Sequence, residues 1–293
     1  MPHPVFTKIA NDSLAAVAKG QYTDDSGNSH SVDDLGTPEF KSYTEYYPPD
    51  SELLVEWKTT SAQLITPLAE ITLARASTLE GIRLLDDSTK RGVLNFASAT
   101  KPGGGFLAGA QAQEESLARS SNIYSSLMTP TGQRFYRLHK SAAQKPDKRY
   151  THSIIFTKNV RFFRTDKGVW IEPVDADVVT SAAVNAGAVR SRYKDGDPEI
   201  AIEVAMRERM GRILRLFEEK DIPDVILGSF GTGVFRNNVA MVARLWVELL
   251  LAPDARFAHS FKRVVFAIID EKTCAIFRNV FAENKVEFAE VGT

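Results

Sequence analysis

From about residue 92 the chain alternates short apolar runs with longer amphipathic ones, and this alternation restricts the fold more than any other feature. GVLNFAS, SIIFTKNV, VWIEPVDADVVTSAAV, PDVILGSF, RVVFAIID and VEFAEV read as strands. Between them AQAQEESLARSSNIYSSL, IAIEVAMRERMGRILRLFEEK, NNVAMVARLWVELLLA and CAIFRNVFAENK read as helices. In the second of these, Ile202, Ala205, Met206, Met210, Ile213, Leu214 and Phe217 share one side. The strands have few polar positions, as expected for a sheet covered on both faces. The pattern predicts an α/β fold, one α/β/α sandwich.

The first part of the chain differs. VFTKIANDSLAAVAKG reads as a helix ending at Gly20, and YTDDSGNSHSVDDLGTPEF as an irregular polar segment. STLEGIRLLDD reads as a helix with Ser77 or Thr78 as N-cap. We therefore expect a helical, partly irregular extension over residues 1–75 and the main domain over 76–293. No Gly/Ser- or Pro-rich linker separates them, so the extension should pack on the core. The 293 residues, 43% hydrophobic, are enough for a substantial core, and no repeat of solenoid length is present.

Composition narrows the function. The formal net charge is -1 and no basic stripe stands out, which argues against general nucleic-acid binding. An anionic ligand would have to be recognised locally, by backbone N–H groups. The single cysteine, Cys274, allows neither a disulfide framework nor a thiolate metal site; in CAIFRNVF it reads as a buried thiol. The histidines His3, His30, His139, His152 and His259 show no metal-ligand spacing. Trp57, Trp170 and Trp246 lie in apolar surroundings and read as core. The N-terminus lacks the features of a signal peptide and no apolar run is long enough to span a membrane. The expected setting is intracellular: cytoplasmic, or nuclear in a eukaryote.

Two strand-to-helix connections are rich in glycine: NFASATKPGGGF and GSFGTGVFRN. Glycines there let backbone donors approach a ligand, and the helix that follows favours negative charge. Neither loop carries a dinucleotide or P-loop fingerprint. LGSFG is no nucleophile elbow, because Leu227 stands where the first glycine belongs. Glu114 and Glu115 fall just after the first loop. A bound anion and a second carboxylate would each raise the pKa of one glutamate, which suits a general acid. Adjacent residues lie about 100° apart on a helix, so the pair is poorly placed to flank a sugar as an ordinary two-carboxylate glycosidase does. One glutamate for proton transfer and one for holding sugar hydroxyls is the better division.

Taken together, Gly103, Gly104, Gly105, the spacer FLAGAQA and Gln113-Glu114-Glu115 resemble the signature of the poly(ADP-ribose) glycohydrolase family. LNFASATKPGGGF, GSFGTGVFRN and DVVTSAAVN resemble further family segments, and the likeness runs over about residues 60–291. The compact length resembles the bacterial-type enzymes, with fungal proteins of this type also known. The resemblance implies a three-layer α/β/α macrodomain with a mixed sheet, binding the terminal ADP-ribose of a polymer or of ADP-ribosylated proteins. It implies Glu115 as general acid and then base, and Glu114 as the residue that holds ribose hydroxyls. Gly103, Gly104, Gly105, Phe106 and Gln113 would border the ribose and diphosphate. Gly231, Thr232, Gly233 and Val234 would present N–H groups to the diphosphate, with Phe235 beside the distal ribose. No cofactor, metal or membrane partner is implied. A non-catalytic ADP-ribose reader and a mono-ADP-ribosyl hydrolase remain the alternatives.

Overall fold

The computed structural model describes residues 3–60, 67–85, 89–141, 148–192 and 196–292. The N-terminal helix α1 (Pro4–Lys19) ends at Gly20, whose φ of 78° closes the helix in the left-handed region. A hairpin follows, β1 (Gln21–Thr23) and β2 (Ser29–Ser31). The irregular reading of this stretch is corrected here. The turn is held by Asp24, which accepts hydrogen bonds from the N–H groups of Ser26 and Asn28. Next come β3 (Thr44–Tyr47), α2 (Glu52–Val55), β4 (Glu70–Ala74) and α3 (Thr78–Ile82). Ser77 is the N-cap of α3, and Glu80 completes a capping box. The end of STLEGIRLLDD, from residue 86, lies outside the described residues.

β5 (Arg91–Phe96) leads through the glycine loop to α4 (Gln113–Ser120) and α5 (Ile123–Met128). These were expected as one helix. Asn122 breaks it by exchanging hydrogen bonds with Arg161 on the neighbouring strand. Then follow α6 (Gly132–Lys140), β6 (Ile154–Arg164), β7 (Trp170–Ser181), α7 (Ala186–Arg190) and α8 (Pro198–Glu219). The chain finishes with β8 (Asp224–Leu227), α9 (Val239–Trp246), β9 (Arg263–Ala267), α10 (Glu271–Glu283) and β10 (Ala289–Val291).

Eight strands form one mixed sheet, in the order β10-β4-β9-β8-β5-β7-β6-β3. From β10 to β7 all neighbours are parallel; β6 runs against β7, and β3 against β6. Both β3 and β4 come from residues 1–75, so that stretch supplies sheet as well as the helix and hairpin.

Two hydrophobic cores sit on opposite faces of the sheet, and the period of the strands assigns residues to them. Val93, Ile155, Val178, Ile226 and Val265 face α1 and α3 to α6. Their sequence neighbours Leu94, Ile154, Phe156, Val179, Val225 and Val264 face α2 and α7 to α10. In α8, Ile202, Met206, Met210, Ile213, Leu214 and Phe217 are fully buried, as their spacing predicts. Cys274 is buried, and so are Trp57 and Trp246. Trp170 is half-buried, stacked on Tyr22 of the hairpin and on Phe163.

Candidate active site

β5 lies in the middle of the sheet, between β8 and β7, so the loops leaving the carboxyl ends of these three parallel strands emerge side by side. This is the edge at which open α/β sheets bind ligands. Phe96, at the end of β5, and Phe230, in the loop after β8, approach to 5.6 Å between ring centroids.

The loop after β5 turns on Ser98, whose Oγ accepts from the N–H groups of Thr100 and Lys101. Gly103 and Gly104 then take φ of 65° and 60°. At Gly104 a methyl group would overlap Glu115 Oε1 and stand 3.0 Å from Glu114 Oε2. Only glycine lets the backbone lie against both carboxylates in this conformation. α4 starts without a side-chain cap at Ala112. Its first turn is instead anchored by Gln113, whose Oε1 accepts from Phe96 N–H (2.9 Å) while Nε2 donates to the Leu94 carbonyl and to Thr78 Oγ1. Gln113 therefore belongs to the framework: its amide is spent on protein groups rather than turned to a ligand. Phe106 is buried, its ring against Tyr124, and its N–H closes back on the Gly103 carbonyl.

The two glutamates differ sharply in environment. Glu114 is 3% exposed, and its Oε2 accepts from Ser98 N–H at 2.7 Å. Its Oε1 has no donor among the described residues, and the same is true of Asn95 Oδ1. Burial pushes the Glu114 carboxyl well above the ordinary range, the Ser98 N–H opposes this, and the charge of Glu115 adds to it. Desolvation is the largest cause, and it acts on Glu114. Glu115 is half-buried, with Oε1 held by Gly105 N–H at 2.8 Å and its carboxyl lying against Gly104.

The loop after β8 is shaped by Gly231 and Asn237. Gly231 has φ of 74°, and a methyl there would overlap Ala183. Asn237 is buried and donates to the carbonyls of Val184 and Gly231. Among the described residues the N–H groups of Gly231, Gly233 and Val234 have no protein acceptor, whereas that of Thr232 closes on the Ser229 carbonyl. α9 follows at once, capped by Asn238. The free donors and the helix N-terminus make this loop a natural cradle for a diphosphate. The loop after β7 braces it: Gly187 N–H donates to the Phe235 carbonyl, and Arg190 to the Arg236 carbonyl. Phe235 is half-buried, 5.9 Å from the ring of Tyr150. Tyr150 has φ of 59°, and Arg209, fully buried, donates to its carbonyl.

Four residues of this site escaped the sequence reading: Asn95, Ser98, Tyr150 and Asn237. Ser98 lies in a segment already identified, but its backbone role leaves no mark in the sequence. Tyr150 follows a polar stretch and carries no motif. Among the described residues no cluster of three or more His, Cys, Asp or Glu side chains is placed to hold a metal ion. Nor is any described helix long and apolar enough to cross a membrane.

Comparison with known proteins identifies the fold and the family. Residues 10–165 match the family model described as microbial-type PARG, catalytic domain. The fold is similar to that of poly(ADP-ribose) glycohydrolase from Thermomonospora curvata, with a TM-score of 0.85 and 31% identity over 95% of this chain and 100% of that one. That enzyme bound to the inhibitor ADP-HPD matches with a TM-score of 0.82 and 32% identity, over 94% and 99% of the two chains. The Deinococcus radiodurans enzyme in complex with ADP-ribose matches with a TM-score of 0.72 and 31% identity, over 84% and 98%. A comparison with curated proteins finds no match. The chain belongs to the microbial-type poly(ADP-ribose) glycohydrolase family.

Proposed function

We propose that the chain hydrolyses the ribose–ribose O-glycosidic bond of poly(ADP-ribose), releasing ADP-ribose from polymer carried by modified proteins. The observation that carries this reading is the placement of Glu115. It stands on the crevice side of α4, held by Gly105 N–H, next to a neighbour whose carboxyl is buried. In the reaction, Glu115 donates its proton to the departing ribose oxygen as the bond to the anomeric carbon breaks. The resulting carboxylate then takes a proton from the water that attacks that carbon. Glu114 stays in the protonated state that its burial favours, so it does not compete as a base. It positions Glu115 and holds ribose hydroxyls. The N–H groups of Gly231, Gly233 and Val234 bind the diphosphate, and Phe235, backed by Tyr150, packs beside the distal ribose. The wide spacing of an ordinary glycosidase pair is not needed, because one carboxyl serves both proton transfers.

The test is Glu115→Gln, assayed for free ADP-ribose released from a polymer-modified protein and for ADP-ribose binding by calorimetry. We expect release to fall by at least about 1,000-fold, with binding nearly intact. Full release by the variant would refute the assignment. Wild-type protein that binds ADP-ribose tightly and releases none would be a reader, and efficient cleavage of a singly modified protein would mark a mono-ADP-ribosyl hydrolase.

A further inference from the structure

α1 meets the catalytic helix at one buried cation. Arg119 is 2% exposed and lies one helical turn beyond Glu115. Its Nη1 donates to the Ala110 carbonyl at 2.9 Å, and its Nη2 to Ser116 Oγ at 2.8 Å. The Phe6 ring of α1 covers its guanidinium at 4.5 Å, and Ser13 of α1 donates to its carbonyl at 2.7 Å. The same helix start grips the spacer loop. His3 N–H donates to the Ala108 carbonyl, and Gly109 lies so close to the His3 backbone that a methyl there would stand 2.5 Å from the His3 carbonyl oxygen.

These contacts close a ring. Ala110 N–H donates to the Gly105 carbonyl, Gly105 N–H donates to Glu115 Oε1, and the helix returns from Glu115 to Arg119. Among the described residues no carboxylate lies within ion-pairing distance of Arg119. Burial pulls its proton affinity down, while the charges of Asp166, in the β6–β7 turn, and of Glu115 act in the opposite sense. From α4 Glu114 also faces Glu115, and α1 contributes the Phe6 ring and the Ser13 hydroxyl. A buried cation without a paired anion is costly, and a loop could be pinned by a neutral donor instead. The charge is best explained by its position one turn from Glu115.

We infer that Arg119, sealed by α1, is a positioning residue for Glu115: it fixes the Ala110–Gly105 segment that holds the carboxyl, and supplies the positive field in which the carboxylate forms. This rests on Glu115 being the acid. The stretch before residue 20 then contributes to turnover, by keeping water from the guanidinium.

The test compares Arg119→Met, Arg119→Lys and Phe6→Ala with wild type, measuring kcat on polymer-modified protein and the Kd for ADP-ribose. For Arg119→Met we expect kcat to fall about 100-fold, with Kd changed by less than about threefold. Arg119→Lys keeps the charge and should recover part of the kcat that Arg119→Met loses. Phe6→Ala leaves the hydrogen bonds in place and should lose several-fold in kcat, which tests the idea even if Arg119→Met does not fold. Wild-type kcat in Arg119→Met or Phe6→Ala overturns the inference, as does a loss in Arg119→Met matched by an equal loss of ADP-ribose affinity. If Glu115→Gln is inactive while these variants behave as wild type, only this inference fails. If Glu115→Gln is active, the proposed function itself fails.

Discussion

Gly104→Ala separates the chemistry of the glycine triplet from its effect on folding. The new methyl would occupy the place of Glu115 Oε1, 2.7 Å from Cδ, with Glu114 Oε2 at 3.0 Å. The backbone at φ of 60° adds strain for any L side chain, about 1–2 kcal/mol. For a chain of this size that lowers Tm by about 2–8 °C, leaving the protein folded. The steric term falls on the site. A carboxyl is the far end of a flexible side chain, so it yields, moving by about 1 Å and leaving Gly105 N–H. A displacement of that size costs about 100-fold in kcat, or about 2.7 kcal/mol. The assay is release of ADP-ribose at saturating polymer, beside a thermal melt. Gly20→Ala is the control for strain alone: φ there is 78°, but nothing lies within 4 Å of the added methyl. It should lose similar stability and keep wild-type kcat. A Gly104→Ala enzyme with kcat within about threefold of wild type would refute the view that the triplet exists to let backbone lie against the glutamates.

Two predictions concern pH. The Glu114 carboxyl is raised on folding, so the native state retains a proton that the unfolded chain has released. Its contribution to stability is therefore present at low pH and lost as pH rises above the ordinary carboxylate range. Glu114→Gln has no such proton, and its stability advantage over wild type should grow as pH rises above about 5 in urea melts; a difference that stays flat would sink the idea. His139 is 2% exposed, and burial, helped by Arg209, lowers its pKa to about 4. Here the unfolded chain takes the proton first. Stability is full above about pH 6.5 and declines by about 3 kcal/mol as pH falls toward 4. Half-buried His152, lowered to about 3, adds to the loss. His139→Gln should blunt the fall, and a wild-type protein equally stable at pH 7 and pH 4.5 would contradict the argument.

Local sequence carried much of this protein. Period-2 and period-3.6 patterns are properties of neighbouring residues, so the strands after residue 92 and the long helices α8, α9 and α10 could be read directly, whereas the short α6 and α7 were not expected and α4 and α5 were taken as one helix. The glycine triplet and QEE lie within thirteen residues, from Gly103 to Glu115, so their joint presence on one loop and helix start was visible, and with it the family. Short-range patterns did not reveal that β3 and β4, from the stretch taken as an extension, join the sheet, since pairing such as Glu70 with Arg263 spans most of the chain. Nor could they assign roles within QEE. Gln113, Glu114 and Glu115 are neighbours in sequence, yet the fold makes one a framework tie, one a buried carboxyl and one a half-buried carboxyl held by Gly105 N–H. Desolvation decides this, and it is the sum over every group packed around a side chain. Likewise the closure of Phe6 over Arg119, more than a hundred residues away, exists only because α1 folds back onto the catalytic helix. Residue types set which chemistry was available; tertiary packing chose which carboxyl faces the crevice and which charge lies behind it.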